Sequence, residues 1–519
     1  MRWAHDADPE ELAALAPGAR PGASTLVGAA SALAAAHLGT LDCPNVAVES
    51  ALRRLLTTLF LRISSLHTGD LDEWEDRFDA LAGAGRLDPT AVTAYTSRWA
   101  EHLCLFAPDR PFLQDPRLAA ECGEAAPAGK LSMIRASGSN QPWMDRTPQQ
   151  APLSGHEALW WVLAWRGYGP CGLGAQRAHE GIKHKSMAAG PLRAAISWHP
   201  CAGSEFHSLL LSCPPPDIVP VTGDDLPEWE QEALPDPLRP QLPSGPVTRL
   251  INRPAHAVLA VADVDARAVS GCWVAWRTPV PSAIKSASGR KALSLTLEAV
   301  TGATDPFLIS RLTGGPVRAN HHRAMLRDFD TLIHARRHDA TTNGAALPVW
   351  IRLLDGLPAD VRERIGPVRA RALGCHQDKQ EKDELWYAAT TPAPIAAYLA
   401  GEHPDRASRV ARTREAAEGA ASALAGALRS AWRAMSPDPH SECAWLGTTM
   451  AAYWDRAEPR FWQAIASGTD PDLRALAIEL YDEATRADAA SMTGLIPIAE
   501  ARAGLVHPRK RRKPKAPAA

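Results

Sequence analysis

The sequence predicts an α+β fold in which a large mixed N-terminal domain with long loops is followed by a C-terminal four-helix bundle. The chain begins with Ala- and Leu-rich segments of helical composition, and its centre, from Pro108 to Pro392, is rich in Pro and Gly and contains short β-type runs. Beyond Pro392, apolar residues recur at helical spacing. At 519 residues, of which 45% are hydrophobic, the chain should form two or three domains.

The first two thirds of the chain combine helices with short strands. Residues 29–66 have the composition of a helix, and residues 70–105 favour further helix that is interrupted by two glycines and a proline. In the irregular centre, Ala257–Val261 and Cys272–Trp276 are predicted to be strands because they are short, apolar and rich in β-branched and aromatic residues. This alternation predicts one mixed domain over residues 1–390.

A polar segment interrupts the last predicted strands of this domain. Arg369 to Leu373 has the pattern of a strand, Gly374 is predicted to turn the backbone, and Leu385–Tyr387 resumes a buried strand. Cys375 to Glu384 should therefore project as a hairpin loop. One interpretation of this loop is an ordinary solvated hairpin. The other is that its polar side chains form hydrogen bonds with the edge of a nucleobase. The polar residues predicted at its tip are Gln377, Asp378, Lys379 and Gln380.

The C-terminal part is predicted to be a four-helix bundle over residues 391–506. Its helices are expected at Val410–Met435, near Glu442–Tyr453, at Glu458–Ala466 and at Asp472–Thr485. Apolar residues at three- and four-residue spacing give the first and last of these segments one buried face each.

Charge is unevenly distributed along a chain whose formal net charge is only −2. The segment from Asp217 to Asp236 holds seven acidic residues and no basic one, which predicts a solvated linker or surface loop. Pro127 to Pro200 holds eight basic residues against three acidic ones, so a polyanion is a possible ligand there, although a solvated face is an equally simple interpretation. Residues 507–519 carry six basic residues and are predicted to form a disordered basic tail, which either binds nucleic acid or only aids solubility.

The sequence carries no pattern that predicts catalysis, a cofactor or a metal. Gly172-Leu-Gly-Ala-Gln-Arg177 begins like a dinucleotide-binding loop but lacks its third glycine. His179 and His184 are five residues apart, which does not fit a zinc-protease helix. The nine cysteines are scattered without a C-x-x-C pair, and no run of eighteen residues is uniformly apolar. We therefore expect a cytoplasmic protein that is not an enzyme, without a membrane span.

Several short motifs, taken in order, resemble those of one protein family. The chain is similar to the CasA-type large subunit of the type I-E CRISPR Cascade complex over roughly residues 109–466. Four continuous motifs carry the resemblance: Pro111-Phe-Leu-Gln-Asp115, Ala189-Gly-Pro-Leu-Arg193, Ser197-Trp-His-Pro200 and Pro254-Ala-His-Ala-Val-Leu259. A fifth, discontinuous motif consists of Gly374 and Gln380, followed by Asp383 and Trp386.

The resemblance implies a function in DNA recognition without catalysis. Such a subunit recognises the protospacer-adjacent motif in double-stranded DNA, opens the duplex to start R-loop formation, and presents a docking face to a helicase-nuclease. Its implied partners are the backbone, small and guide-capping subunits, the target DNA, and the 5′ handle of the CRISPR RNA.

The resemblance also assigns roles to individual residues. Gln380 falls at the position of a wedge that separates the first base pair of the DNA. Lys379 is implied to contact an adjacent phosphate, and the neighbouring residues Asp378 and Gln377 are implied to contact the DNA as well. Gly172-Leu173-Gly174 aligns with a glycine loop that approaches the minor groove. The remaining candidates are Lys183, Lys185 and Lys285 for DNA, and Trp143 and Asn140 for the RNA handle, although Trp143 could equally be a packing residue.

The chain also departs from the family. It opens Met1-Arg-Trp-Ala where relatives have a Trp-Ile-Pro strand, so an N-terminal strand could be missing, and Ala175 replaces a further glycine of the glycine loop. Two other functions stay open at this stage. One is a stand-alone nucleic-acid or protein-interaction module, and the other is a metal-dependent enzyme that uses His179, Glu180 and His184.

Overall fold

The computed structural model describes residues 1–135, 147–302, 305–311, 315–319, 324–334, 345–377, 383–436, 438 and 440–507. The chain divides into two compact units. Unit 1 comprises Met1–Asn320 and Ala335–Ala396, and unit 2 comprises His321–His334 and Ala397–Ala519. The chain therefore passes from unit 1 into unit 2, returns, and enters unit 2 a second time.

Helices occur in both units. In chain order they are α1 (Pro9–Leu15), α2 (Ala29–Ala34), α3 (Val46–Ser64), α4 (Leu71–Ala84), α5 (Pro89–Arg98), α6 (Leu118–Glu121), α7 (Gly155–Tyr168), α8 (Glu205–Leu211), α9 (Pro246–Ile251), α10 (Ala287–Gly302), α11 (Leu326–Ile333), α12 (Val349–Gly356), α13 (Ala359–Ile365), α14 (Pro404–Met435), α15 (Leu446–Ser467), α16 (Leu473–Ala489) and α17 (Leu495–Val506). Within the described part of the chain, none of these helices is both long and apolar enough to cross a membrane.

The strands belong to unit 1 and form small antiparallel sheets. They are β1 (Arg2–Trp3), β2 (Gly39–Thr40), β3 (Ala126–Pro127), β4 (Leu153–Ser154), β5 (Gly172–His179), β6 (Ile182–Met187), β7 (Ile196–Cys201), β8 (His256–Ala262), β9 (Ala268–Trp276), β10 (Ser310–Arg311), β11 (Gly315–Pro316), β12 (Ala345–Ala346), β13 (Arg369–Gln377) and β14 (Asp383–Thr390). The two strands predicted in the centre are confirmed as parts of β8 and β9, which pair with each other. Strand β13 lies between β7 and β14.

A short strand is present at the N-terminus, contrary to the expectation that it could be missing. Arg2 pairs with Thr40 and Trp3 with Gly39. Trp3 is buried, and a side chain at position 39 would lie 2.5 Å from the carbonyl oxygen of Arg2, so only glycine allows the two strands to approach. The burial of Trp3 thus anchors this edge.

Helix α3 carries charged side chains into the core of unit 1. Arg54 contacts Asp305 through two hydrogen bonds of 2.7 and 3.1 Å. Arg53 lies 3.0 Å from Glu205 and 3.3 Å from Glu49. Buried charges are tolerated when they are paired, so these contacts fix the position of α3 relative to residues far away in the sequence.

The acidic segment from Asp217 to Asp236 is only in part the predicted solvated surface loop, since Asp217, Asp224, Glu232 and Asp236 are exposed. Glu228 is buried and accepts a 2.5 Å hydrogen bond from Arg166, and Glu230 accepts one of 2.8 Å from Arg62. The prediction was wrong for these two residues because it counted charges locally, whereas the arginines that pair with them come from α7 and α3. Glu228 and Glu230 are therefore held within unit 1 by paired charges, while the exposed acidic residues agree with the predicted surface loop.

Unit 2 is built from helices α14 to α17 together with α11. The predicted C-terminal helical region is confirmed, but the helices expected at Glu442–Tyr453 and Glu458–Ala466 form the single helix α15. Pro459 lies inside it, and the helix continues because a buried apolar face runs from Tyr453 to Ile465 on both sides of the proline. Helix α17 completes the bundle and was not predicted.

Helix α11 packs inside unit 2 although it precedes the bundle by about seventy residues. Phe329 is fully buried, and its ring centroid lies 4.8 Å from that of Trp462 and 5.6 Å from that of Tyr398. The backbone N–H of Ala400 donates a 2.8 Å hydrogen bond to the carbonyl of Ile333. These contacts make α11 an integral part of the core of unit 2.

Candidate nucleic-acid interface

The hairpin formed by β13 and β14 has longer strands than the sequence predicted. Cys375 pairs with Trp386 and Gln377 with Asp383, and the register shifts between His376 and Gln377. The strand therefore continues through the predicted turn at Gly374, and the connection between the strands comprises residues 378–382 alone. The expected loop from Cys375 to Glu384 was twice too long.

Gly374 has a packing role that explains the wrong prediction. It lies in the middle of β13, opposite Tyr387 on one side and Ile196 on the other. A Cβ atom at position 374 would lie 2.8 Å from the carbonyl oxygen of Ala195, which is closer than real side chains approach. Glycine is needed here so that β7 can approach β13, and it does not mark a turn.

The base of this hairpin is held firmly in unit 1. Leu373 and Cys375 are buried, and Arg371 donates hydrogen bonds of 3.1 and 2.8 Å to Glu49 on α3 and one of 3.1 Å to the hydroxyl of Thr390 on β14. Pairing with β7 on the other side adds a further ladder of backbone hydrogen bonds. The ends of the two strands at Gln377 and Asp383 thus have a rigid support.

Several predicted site residues fall outside the part of the chain that the structure describes. For the wedge these are Asp378, Lys379 and Gln380, and for RNA contact they are Asn140 and Trp143. The basic residues beyond Pro508 also lie outside it. Gln377 is described as the last backbone position of β13. The roles of these residues remain predictions.

The predicted glycine loop is the beginning of a strand. Gly172, Leu173 and Gly174 open β5, which pairs with β6. A Cβ atom at Gly174 would lie 2.6 Å from both the Met187 sulfur and the carbonyl oxygen of Val274, so this glycine permits β5 to pack against β9. Leu173 is 60% exposed, and the space around Gly172 is open, so this end of the strand remains accessible.

The same hairpin presents two lysines on one side. Its turn is formed by Glu180 and Gly181, whose φ angles of 44° and 78° fit the type I′ turn that favours a right-handed twist. Lys183 and Lys185 are exposed and alternate along β6, so they point to the same face. Lys285 is also exposed and lies just before α10.

Not all basic residues of the Pro127–Pro200 segment are available to a ligand. Arg135, Arg166, Arg177 and Arg193 are buried. The interpretation of this segment as a polyanion-binding surface therefore rests on the exposed lysines of β6 and not on its total charge.

Arg177 is the centre of a buried ion network, not part of a dinucleotide loop. It lies 2.9 Å from Asp115 and 2.5 Å from Glu121, and its guanidinium stands 4.9 Å from the centre of the Trp276 ring. Burial alone would raise the pKa of Asp115, but the hydrogen bonds and charges of Arg117 and Arg177 hold it below its ordinary value. This network fixes β5 against α6.

The residues proposed for a metal-dependent enzyme are used in other ways. His179 Nδ1 lies 2.7 Å from Glu121, and His184 Nδ1 accepts a 3.0 Å hydrogen bond from the backbone N–H of Ser186. Glu180 occupies the exposed hairpin turn. Among the residues that the structure describes, no group of three His, Cys, Asp or Glu side chains is arranged to hold a metal ion.

Comparison with known proteins identifies the family. The sequence model of the family described as CRISPR-associated protein Cse1 matches residues 19–491. The chain belongs to the Cse1 family. The resemblance to the CasA-type large subunit is therefore confirmed, as is the mixed α+β fold with its C-terminal helical region.

Solved structures of Cse1-type chains share this architecture. A chain from a structure titled "CRISPR RNA-guided surveillance complex" is 31% identical, with a TM-score of 0.76 over 93% of this chain and 96% of that chain. The CasA (Cse1) structure from Thermus thermophilus has 18% identity, a TM-score of 0.67 and coverage of 97% and 98%. Cse1 from Thermobifida fusca has 17% identity, a TM-score of 0.67 and coverage of 93% and 94%. No curated protein sequence matches the chain.

Proposed function

We propose that this Cse1-family chain is the non-catalytic large subunit of a type I-E CRISPR RNA-guided surveillance complex, and that it recognises the protospacer-adjacent motif in double-stranded DNA. Family membership and the likeness to a chain of an RNA-guided surveillance complex support the assignment. Its partners are then the backbone, small and guide-capping subunits, and it acts in the cytoplasm.

The rigid hairpin of β13 and β14 is the observation that carries the proposal. Its strands end at Gln377 and Asp383, so Gln380 lies in the middle of a five-residue connection on a base that is fixed to α3 and β7. A base that is fixed on both sides holds the two ends of this connection in place. The Gln380 amide can then hydrogen-bond to bases that have lost their partners, which offsets part of an unstacking cost of a few kcal/mol per step.

Residues next to Gln380 and on the β5–β6 hairpin provide contacts to the DNA backbone and groove. Lys379 holds a phosphate, with Asp378 and Gln377 beside it. The lysines of β6 and Lys285 add sequence-independent attraction for phosphates, because they are exposed cations in unit 1. The accessible end of β5 at Gly172, Leu173 and Gly174 approaches the minor groove, where Gly172 leaves the backbone uncovered.

Further contacts complete the role within the complex. Trp143 and Asn140 contact the 5′ handle of the guide RNA, and the basic tail adds salt-sensitive affinity for nucleic acid. After the R-loop forms, the chain presents a docking face to the helicase-nuclease.

The wedge is tested by replacing its amide. We expect Gln380→Ala to slow R-loop formation on a supercoiled target by about tenfold or more, since a few kcal/mol of strand separation would no longer be offset. Assembly of the complex should be unchanged. R-loop formation is measured by permanganate reactivity of the displaced strand.

Gln463→Ala is the matched control, because Gln463 is an exposed glutamine on α15 in unit 2. A Gln380→Ala complex that opens DNA at the same rate as the Gln463→Ala complex would refute the wedge.

A further inference from the structure

The solvent face of the β5–β6 hairpin carries an exposed amide beside its two lysines. Lys183 and Lys185 alternate along β6 and are exposed. Ala178, which pairs with Lys183, is also exposed, and so is Gln176, two residues earlier on β5. Paired residues, and residues two apart along a strand, lie on the same face of a sheet. Gln176, Lys183 and Lys185 therefore share one face of this hairpin.

A β-bulge determines the position of Gln176. The register of the hairpin shifts between Leu173 and Arg177, so that three residues of β5, at positions 174–176, stand against Lys185 alone. Bulges redirect side chains and are frequent beside functional sites. The extra residues of this bulge lie between the accessible start of β5 and the exposed amide.

The first two residues of the bulge turn towards the interior of unit 1. A Cβ atom at Gly174 would lie 2.6 Å from the carbonyl oxygen of Val274, so the backbone there lies directly against β9. Ala175 is half-buried and packs against a hydrophobic cluster that includes Ala275. Gln176 is thus the first residue after them that returns to solvent.

The backbone of Gln176 is held on its other side as well. Arg177 follows directly, is buried, and donates hydrogen bonds to Glu121 at 2.5 Å, to Asp115 at 2.9 Å and to the carbonyl of Trp276 at 3.0 Å. The amide of Gln176 makes no hydrogen bond to the residues that the structure describes. A rigid backbone with an unused amide suits recognition, because binding then orders a single side chain and no loop.

An amide can distinguish base pairs in the minor groove of DNA. That groove presents acceptor atoms at A·T pairs and adds a donor, the guanine amino group, at G·C pairs. Gln176 can donate through its NH₂ group and accept through Oε1, so it can respond to that amino group. The lysines beside it can contact the phosphates that border the groove. Glu180, in the turn, is the one acidic residue in the sequence from 172 to 187.

We propose that Gln176 reads one base pair of the protospacer-adjacent motif from the minor groove, and that it distinguishes G·C from A·T through the guanine amino group. Lys183 and Lys185 contact the flanking phosphates. This inference rests on the proposed function, in which the start of β5 approaches the minor groove. Gln176 lies two residues after Gly174, about 7 Å further along the strand.

The test measures how the assembled complex binds duplexes that cannot pair with the guide RNA, so that motif binding is separated from strand opening. At each base pair of the motif, inosine replaces guanine, which removes the minor-groove amino group, and 2,6-diaminopurine replaces adenine, which adds one. At one position, the affinity of the wild-type complex should change by about three- to tenfold. Gln176→Ala should abolish the response at that position and keep the responses elsewhere.

Gln241→Ala is the matched control, because Gln241 is an exposed glutamine of unit 1 outside the hairpin. If Gln176→Ala assembles poorly, Gln176→Thr, which favours a strand and also lacks the amide, is measured in its place. Lys183→Gln should weaken binding to all motifs alike and leave the base response intact.

Three results would overturn the proposal. One is a Gln176→Ala complex that responds to inosine and 2,6-diaminopurine as the wild type does. Another is an equal loss of affinity for every motif, which would assign Gln176 to the DNA backbone. The third is a response to 7-deazapurines, which alter the major groove alone, in place of inosine.

The experiment also separates this inference from the proposed function. A wild-type complex that binds every motif equally would overturn both. A motif preference that Gln176→Ala keeps unchanged would overturn this inference alone. Gln380→Ala acts on strand opening and should leave the response to the base analogues intact.

Discussion

Arg371 on β13 and Glu49 on α3 are joined by two hydrogen bonds, Nε to Oε1 at 3.1 Å and Nη2 to Oε2 at 2.8 Å. The two residues are 322 positions apart in the sequence. Glu49 is buried and also lies 3.3 Å from Arg53. This pair connects the strand that leads to the predicted wedge with the helix that organises the core of unit 1.

Removing Arg371 should destabilise unit 1. We expect Arg371→Ala to lower the free energy of unfolding by about 1–3 kcal/mol, because a buried carboxylate loses one of its two cationic partners. Chemical denaturation measures this loss. Arg369→Ala is the control, since Arg369 is exposed two residues earlier on the same strand, and it should change stability by less than about 0.5 kcal/mol. Equal effects of the two substitutions would contradict the role of the pair.

Gly374→Ala should destabilise the β7–β13–β14 sheet. Its new methyl group would lie 2.8 Å from the carbonyl oxygen of Ala195 and 3.3 Å from Ile196 Cα, so backbone must move. Overpacking of this kind costs about 1–3 kcal/mol. At Gly203, which lies between β7 and α8, no atom lies within 4 Å of an added Cβ, so Gly203→Ala should be nearly neutral. Thermal unfolding of both variants checks the difference, and a stable Gly374→Ala protein would argue against the close approach.

Two exposed glycines inside α14 should be replaceable with a gain in stability. Gly419 and Gly426 lie in the middle of the helix, and no atom lies within 4 Å of a Cβ added at either position. Alanine restricts the unfolded chain more than glycine does, so each substitution should raise stability by about 0.5–1 kcal/mol. The unfolding transition of unit 2 should shift to higher temperature. A decrease on either substitution would mean that these positions are covered by another surface.

His256 should make the stability of unit 1 depend on pH. Burial, reinforced by the charge of Arg193, lowers the pKa of His256 to about 4, although the nearby backbone carbonyls, among them that of Pro170, act in the other direction. The folded state therefore binds fewer protons than the unfolded state between pH 6.5 and pH 4. Stability is complete above pH 6.5 and falls by up to about 3 kcal/mol as the pH decreases to 4.

His256→Gln should remove most of this pH dependence while keeping a donor near Pro170, whose carbonyl lies 2.9 Å from His256 Nε2. Denaturation midpoints at several pH values between 4 and 7.5 measure the slope. His440→Gln serves as the control, because His440 is an exposed histidine outside unit 1. Parallel stability curves for wild type and His256→Gln would show that His256 does not titrate in this range.

Features set by local periodicity could be predicted from the sequence. The runs around Val258 and Val274 are short and apolar, and the structure confirms them as β8 and β9. The buried apolar faces of α14 and α16 likewise follow from the helical spacing of their apolar residues alone. In each case the residues that decide the element are neighbours along the chain.

Features set by partners far along the chain could not be predicted. Gly374 resembles a turn residue until the position of Ala195 is known, and Glu228 resembles a linker residue until Arg166 is placed beside it.

The position of α11 in the sequence has a practical consequence for dissecting the molecule. A C-terminal fragment that begins at Ala397 would lack Phe329, whose ring covers Trp462 and Tyr398. Such a truncation would present bare aromatic surface to water and should aggregate. Expressing this part on its own requires Leu326–Ile333 to be grafted ahead of α14 or placed after α17 by circular permutation.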